Sequence, residues 1–263
     1  LSTIGKWWQK WVRLVEILPA PKLIIDVIRR TSDMTANEHW ARHIIRRLDP
    51  RFRQRREAYD DLLTTHLTET ENWLDIGCGR NEAVFRFGNR SRLAVGLDIQ
   101  ESDNRHPAPF LQAHIQNLPF RNDSFNLITL RFVVEHLPDA EASFTDVERV
   151  LKHNGKVIVI TTNVWSPFVA VARLLPFRLK QRVLRLLYGV EEDDVLPTYY
   201  RFNSAFRMRR AIKGLKLLKL DYVQGATYVR RWLFLLFFFW HLISKRGPLR
   251  PFRDNLLSVF EKG

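Results

Sequence analysis

Hydrophobic positions first recur with a helical period. Ile4, Trp7, Trp8, Trp11, Leu14, Val15 and Leu18 share one face, with Lys6, Lys10 and Arg13 opposite, until Pro19 and Pro21 stop the pattern. From Leu23 to Leu67 the chain reads as mostly helical and polar, and the basic run Arg51 to Arg56 reads as a solvated helix face. The period then changes. Trp73, Leu74 and Ile76 predict a buried strand, and Gly77 and Gly79 let the chain turn tightly and bring bare backbone against a ligand. Leu93 to Ile99 predicts a second short strand. Leu174 to Tyr188 returns to helical spacing and, with Arg173 just before it, carries Arg178, Lys180, Arg182 and Arg185. Trp232 to Ile243 is an apolar run of twelve residues broken only by His241. As a helix it spans roughly 18 Å, against roughly 30 Å of hydrocarbon core, so it is too short to cross a bilayer.

Each of the first two strands ends in an acid, Asp75 and Asp98. An acid about twenty residues beyond a Gly-x-Gly turn suits hydrogen bonding to ribose hydroxyls, whether the ligand is a dinucleotide or S-adenosylmethionine. Asn81 and Glu82 follow the glycines, and an acid at the start of the next helix repels a pyrophosphate. Asp75 suits the cationic amino-acid end of S-adenosylmethionine.

The motifs from Trp73 to about Asn163 resemble the class I S-adenosylmethionine-dependent methyltransferases, in the group related to the quinone-biosynthesis enzymes. Leu74 to Gly79 (LDIGCG) is similar to that family's first motif, and Asp98 matches its ribose acid. Asn117 to Phe125 (NLPFRNDSF) matches the stretch before the fourth strand, and Leu127 to Leu137 (LITLRFVVEHL) the strand and the helix after it. Arg149 to Gly155 (RVLKHNG) resembles the approach to the fifth strand, Val157 to Thr161. Residues 215–223 look like the sixth strand and Asn255 to Phe260 like the last, which the family pairs antiparallel. The resemblance implies S-adenosylmethionine as cofactor, bound by Asp75, Gly77, Cys78, Gly79, Asp98, Ile99, Ile115, Gln116 and Arg131. No metal site is expected. Three positions depart from the family: His114 and Asn126 stand where Asp is common, and Asn81 where a small residue is. Asn tolerates a left-handed backbone. A helical region before the first strand is where this family places a cap over the cofactor, so Tyr59 is a candidate for the pocket wall.

The expected architecture is an α/β, Rossmann-like class I methyltransferase sheet with helices on both faces. It carries an amphipathic N-terminal helical extension or cap (1–68) and an apolar insertion between the last two strands. Within the methyltransferase domain (69–263), the core is 73–163, the basic and apolar substrate or membrane region is 164–253, and the last strand is 255–261.

Charge sharpens this picture. Of the formal net charge of +14, residues 1–72 carry +3, residues 73–163 carry −1 and residues 164–263 carry +12. The basic excess lies where apolar residues are densest, which points to an anionic membrane surface before nucleic acid. The N-terminal Trp face has the same character, with packing over the domain's own sheet or a dimer contact as the alternative. The run Trp232 to Ile243, with cations at both ends, reads as a membrane-lying hairpin containing Trp232 and Phe238, or as a homo-oligomer interface. Tyr199, Tyr200 and Arg201 are candidates for contacting an anionic or glycan-bearing substrate. The single cysteine, Cys78, excludes an intrachain disulfide and fits a reducing compartment. The early residues do not read as a secretory signal, so a peripheral position on the cytoplasmic face of a membrane is expected.

S-adenosylmethionine carries an activated methyl group, so the protein's task is to align an acceptor and exclude water. His136 is the candidate catalytic base, with His114 second, and Glu135 is read as orienting or binding. The function expected is methyl transfer to a lipid or lipid-linked acceptor, such as an isoprenoid quinone or a polyprenyl-linked saccharide. The rivals are a non-catalytic membrane scaffold of the same fold and a nucleic-acid methyltransferase; no nucleic-acid recognition module is found to support the latter.

Overall fold

The computed structural model describes residues 21–101, 105–176, 179, 197–210 and 214–263, with side chains from Thr35 onwards. The amphipathic segment Ile4 to Leu18, the acidic residues 191–194 and all the basic stretch beyond Pro176 except Leu179 lie outside these residues. The chain divides into two compact units. Among the described residues, one contains those of 21–52 and 226–239, and the other those of 53–225 and 240–263.

The larger unit is built on a seven-stranded sheet of β1 (Asn72–Ile76), β2 (Leu93–Asp98), β3 (Phe110–Gln112), β4 (Phe125–Arg131), β5 (Leu151–Thr162), β6 (Leu215–Val223) and β7 (Asn255–Lys262). Its strand order is β3-β2-β1-β4-β5-β7-β6. All neighbours run parallel except β7, which is antiparallel to β5 and β6, as expected for the last strand. β1 is buried along its whole length because the pleat sends alternate side chains into two cores. Leu74 and Ile76 join Ile128, Leu130, Phe144 and Val147 on one side. Trp73 joins Leu127, Ile158, Tyr59 and Leu63 on the other. The first core is covered by α4 (Ala140–Val150), which Asp139 caps by accepting from Ala142 N at 3.0 Å. The second is covered by α2 (Arg55–His66) and α3 (Glu82–Phe87). Two short helices, α5 (Pro167–Leu174) and α6 (Ala205–Arg210), follow β5.

The family-like loop before β4 has a structural explanation in Arg149. Its guanidinium donates to Phe120 O at 2.7 Å and Leu118 O at 2.8 Å and pairs with Asp146 at 2.5 Å, closing the loop onto α4. That pairing holds the Asp146 carboxyl below the usual range. Asn126 is structural too: its Oδ1 accepts from Asn72 N at 3.1 Å and Lys152 Nζ at 3.0 Å at the start of β4.

In the smaller unit, α1 (Pro21–Leu48) is followed by a turn, so the run Arg51 to Arg56 is not one solvated helix face as expected. Pro50 separates the helices and Phe52 is buried, its ring 5.5 Å from that of Phe238. The insertion is also not a hairpin but one helix, α7 (Arg231–Ser244). Phe238, expected at a substrate or membrane surface, is 2% exposed and stacks on Phe234 at 5.3 Å. A helix that is apolar all round must bury one stripe, and Phe234 and Phe238, one turn apart, form it. Trp232, Leu235, Leu236 and Phe239 remain exposed. No described helix is long and apolar enough to cross a membrane.

Gly96, on β2 opposite Asp75, has no Cβ because Asn81 and Cys78 occupy that space. A Cβ there would overlap Asn81 Oδ1 and lie 2.9 Å from Cys78 Sγ. Gly96→Ala is therefore expected to destabilise the fold by about 1–3 kcal/mol, read as a lowered urea midpoint. An unchanged midpoint would show that the turn is looser than this packing implies.

Candidate functional site

The switch in strand order between β1 and β4 opens a crevice beyond the carboxyl ends of the strands. There the glycine turn is fixed by three hydrogen bonds to β2. Leu97 O accepts from Gly77 N at 2.7 Å and Cys78 N at 3.1 Å, and Asp98 Oδ2 accepts from Gly79 N at 2.8 Å. Gly77 (φ +69°) and Gly79 (φ +54°) both lie in the left-handed region, and a Cβ on Gly77 would overlap Val133. Asn81, at φ +59°, adopts the same conformation before α3, and its Nδ2 donates to Ala108 O and Pro109 O, each at 3.1 Å.

A cleft of about 350 Å³ lies over this turn. Gly77, Asp98, Ile99, Ile115, His136 and Tyr199, all expected site residues, line it and meet there. Cys78 and Gly79 shape the turn itself. The Cys78 thiol is 3% exposed and pushed up to about 12, chiefly by burial, which keeps it protonated and a poor nucleophile. Asp75, Gln116 and Arg131 are not part of the lining. Asp75 is 2% exposed and lies beneath the turn. Its Oδ1 accepts from Thr129 Oγ1 at 2.6 Å, and Thr129 Oγ1 in turn accepts from Trp73 Nε1 at 2.8 Å. Burial, opposed by the Thr129 bond and by Arg131, pushes its carboxyl up to about 6. Tyr59 is likewise not a pocket wall. It is fully buried, with the Arg131 guanidinium 5.9 Å from its ring.

Sequence reasoning missed Leu97, Ala113, Phe132, Val133, Leu137, Pro138 and Pro197 as lining residues. A signal existed for Phe132 and Val133, which directly follow β4 and so sit at the crevice; none existed for Pro197. Phe132 holds a left-handed backbone at φ +57°, a strain that tends to accumulate at functional sites. His114 lines the cleft as well, and its Nδ1 accepts from Gln116 N at 3.2 Å. In the neutral ring that bond leaves the hydrogen on Nε2, so His114 offers a donor where the family's Asp offers an acceptor.

The segment Pro197 to Asn203 is pinned to the end of β4. Glu135 O accepts from Tyr199 N at 2.7 Å, and Pro197 O lies 2.7 Å from His136 Nδ1. A carbonyl only accepts, so Nδ1 carries the hydrogen and Nε2 of the neutral ring keeps a lone pair. The Glu135 side chain turns inward: its Oε2 accepts from Thr161 Oγ1 at 2.6 Å, and Thr161 Oγ1 accepts from Asn203 Nδ2 at 2.6 Å. Burial raises the Glu135 carboxyl.

These residues fit S-adenosylmethionine. The Asp98 carboxylate keeps lone pairs beyond its bonds to Gly79 N and Gln100 N, and the glycine turn offers open space at Gly79. Apolar walls at Leu97, Ile99 and Ile115 suit a purine face.

Residues 74–159 match the family model described as a methyltransferase domain. A demethylmenaquinone methyltransferase of Lactobacillus johnsonii is 27% identical over 180 residues, 59% of this chain and 73% of that protein. A ubiquinone/menaquinone biosynthesis C-methyltransferase of Shewanella frigidimarina is 30% identical over 119 residues, 45% of this chain and 42% of that one. The chain spans between 39% and 73% of the length of the curated relatives it matches. In fold, it is similar to a geranyl diphosphate C-methyltransferase from Streptomyces coelicolor solved with S-adenosyl-L-homocysteine (TM-score 0.51, 14% identity, 78% of this chain and 76% of that one). It is also similar to the PH0226 protein of Pyrococcus horikoshii (TM-score 0.51, 15% identity, 80% and 90%). Residues 74–159 thus form an S-adenosylmethionine-dependent methyltransferase domain, and the fold around them is that of the class I enzymes.

Two outcomes follow for this site. Asp98→Ala removes both the ribose acid and the tether on Gly79, and is expected to weaken S-adenosylmethionine about 10–100-fold by calorimetry. Undiminished affinity would place the cofactor elsewhere. Because the folded state holds the Asp75 proton up to about 6 while the unfolded chain releases it near 3.8, stability falls as pH rises through that window. Asp75→Asn, which keeps the acceptor for Thr129, is expected to remove on the order of 2–3 kcal/mol of that fall. A parallel loss from Asp254, also pushed up to about 6 by burial, remains. Urea midpoints at pH 4 and pH 7 for both proteins read the difference.

Proposed function

We propose that this chain transfers the methyl group of S-adenosylmethionine to a lipid or lipid-linked acceptor at an anionic membrane surface. The observation that carries this reading is a second cleft, about 720 Å³, that shares Tyr199 with the first and is walled by Val164, Trp165 and Phe206. Trp165 and Phe206 are each 62% exposed, and α5, with Val171 and Leu174 exposed, buries none of its residues. Apolar side chains thus border a cleft that meets the cofactor cleft at Tyr199. The exposed stripe Trp232, Leu235, Leu236 and Phe239 on α7 adds a second surface suited to lipid. Relatives named demethylmenaquinone methyltransferase support a lipophilic acceptor.

S-adenosylmethionine supplies an electrophilic methyl group when bound. His136 takes the acceptor's proton at Nε2, while Pro197 O stabilises the charge that forms by accepting from Nδ1–H. Phe132, Val133 and Leu137 line the same cleft as His136 and give it apolar walls against water. Glu135 acts as a positioning residue, since its side chain faces Thr161 and its carbonyl holds Tyr199.

Incubating the protein with methyl-labelled S-adenosylmethionine and a bacterial total-lipid extract is expected to move label into the organic phase. Label recovered only in added RNA would overturn the lipid reading. His136→Ala is expected to lower kcat about 10²–10⁴-fold with cofactor affinity unchanged, and His136→Gln not to rescue it. A variant with full kcat would remove the base from this scheme. Vesicles containing phosphatidylglycerol are expected to bind the protein at low salt and release it at high salt, and Trp232→Ala with Phe239→Ala to weaken that binding. Equal binding to neutral vesicles would contradict the electrostatic part.

A further inference from the structure

We infer that the acceptor carries a phosphate ester, held in the second cleft by Arg173, Arg201 and Arg207, while its apolar part lies against Trp165 and Phe206; this rests on the lipid-acceptor reading above. The three arginines line one cleft from three different elements: α5, the pinned segment 197–203 and α6. All three are exposed, and no carboxylate is among the residues lining the cleft. Among the described residues none of the three has an acidic partner within salt-bridge distance. Arg207 Nη1 donates to Tyr200 O at 3.2 Å and Arg201 O at 2.7 Å, so part of its fork is committed to the loop. The Arg173 guanidinium stands 5.4 Å from the centre of the Tyr200 ring.

Three like charges in one cleft repel each other, and an anion between them relieves that repulsion. Guanidinium forks match phosphate oxygens in pairs, and three cations suit a phosphate or diphosphate better than the single charge of a carboxylate. The backbone at this point is held from both sides. Glu135 O accepts from Tyr199 N and Tyr200 N, Arg207 holds the next two carbonyls, and Tyr200 sits at φ +53°. A bulky residue in that conformation is strained and persists because its surroundings dictate it. The start of α5 is fixed as well: Ser166 caps it by accepting from Val169 N at 3.5 Å and donates to the buried Asp254 at 2.7 Å. The arginines are therefore presented on an ordered frame. Through Tyr199 that frame touches the cleft where methyl transfer takes place.

The test uses the full chain with S-adenosyl-L-homocysteine present and compares farnesyl phosphate, farnesol and inorganic pyrophosphate as ligands, followed by quenching of tryptophan fluorescence. Farnesyl phosphate is expected to bind at least tenfold more tightly than farnesol, with an affinity that falls as salt rises. Arg173→Gln with Arg201→Gln, which breaks no side-chain hydrogen bond among the described residues, is expected to abolish that preference while leaving farnesol and S-adenosyl-L-homocysteine binding unchanged. Equal binding of the phosphate and the alcohol would overturn the phosphate site and leave the lipid reading standing. Binding of pyrophosphate as tight as that of farnesyl phosphate, with farnesol not bound, would keep the anion site but overturn its assignment to a lipid head. Binding of none of the three would overturn this inference, and label reaching lipid in the transfer assay would then show that the acceptor reading survives it.

Discussion

The structure depends on a strand end that is bonded to its neighbour. Leu97 O takes the amide hydrogens of both Gly77 and Cys78, and the Asp98 carboxylate takes that of Gly79, so the turn after β1 is fastened to the last residues of β2. Three residues without bulk or with a tolerant backbone make this possible. Gly77 leaves room for Val133, Gly96 leaves room for Asn81, and Asn81 turns the chain into α3 while its amide bonds the loop before β3. The result is a cradle of bare backbone with one carboxylate at its rim. Because a carboxylate that accepts two backbone amides has lone pairs to spare, the same Asp98 both closes the turn and faces the cleft. Structure and binding are thus served by one group.

Much of this was legible in the sequence because it is local. The glycine turn, the two acids, the strands and the antiparallel end of the sheet each announce themselves within a few residues. What could not be read is what depends on contacts between distant segments. Asp75 and Asp98 look equivalent as acids closing apolar strands, yet Asp75 pairs with Thr129 on the adjacent strand and is sealed beneath the turn. Phe238 looked like one of many exposed aromatics. Only the partner ring of Phe52, far away in sequence, shows which stripe of α7 is inside. The charge of the basic run at Arg51 suits a solvated helix face, but Pro50 restricts the residue before it more firmly than charge favours a helix. The place of His136 after β4 is legible in the sequence, but the bond that fixes its tautomer comes from Pro197, 61 residues on.

That long-range bond explains why a buried carboxyl is kept next to the site. Glu135 pays a desolvation cost, visible in its raised carboxyl, and its side chain makes no contact with the cleft. In return the inward turn of the side chain joins Thr161 to Asn203, and Asn203 also bonds Thr162 O at 3.0 Å and lends its own carbonyl to Val164 N. The outward carbonyl of the same residue accepts from Tyr199. One residue therefore ties the end of β4, the end of β5 and the segment 197–203 into a single frame. An apolar residue at 135 would remove the desolvation cost but leave the Thr161 hydroxyl without its buried acceptor, which costs more than the net gain of an ordinary hydrogen bond. The segment would then lose its register against the imidazole. Because Tyr199 belongs to both clefts, any slip there separates the residues that would hold an acceptor from the nitrogen that would take its proton, so the placement of the second cleft depends on the buried carboxyl behind the first.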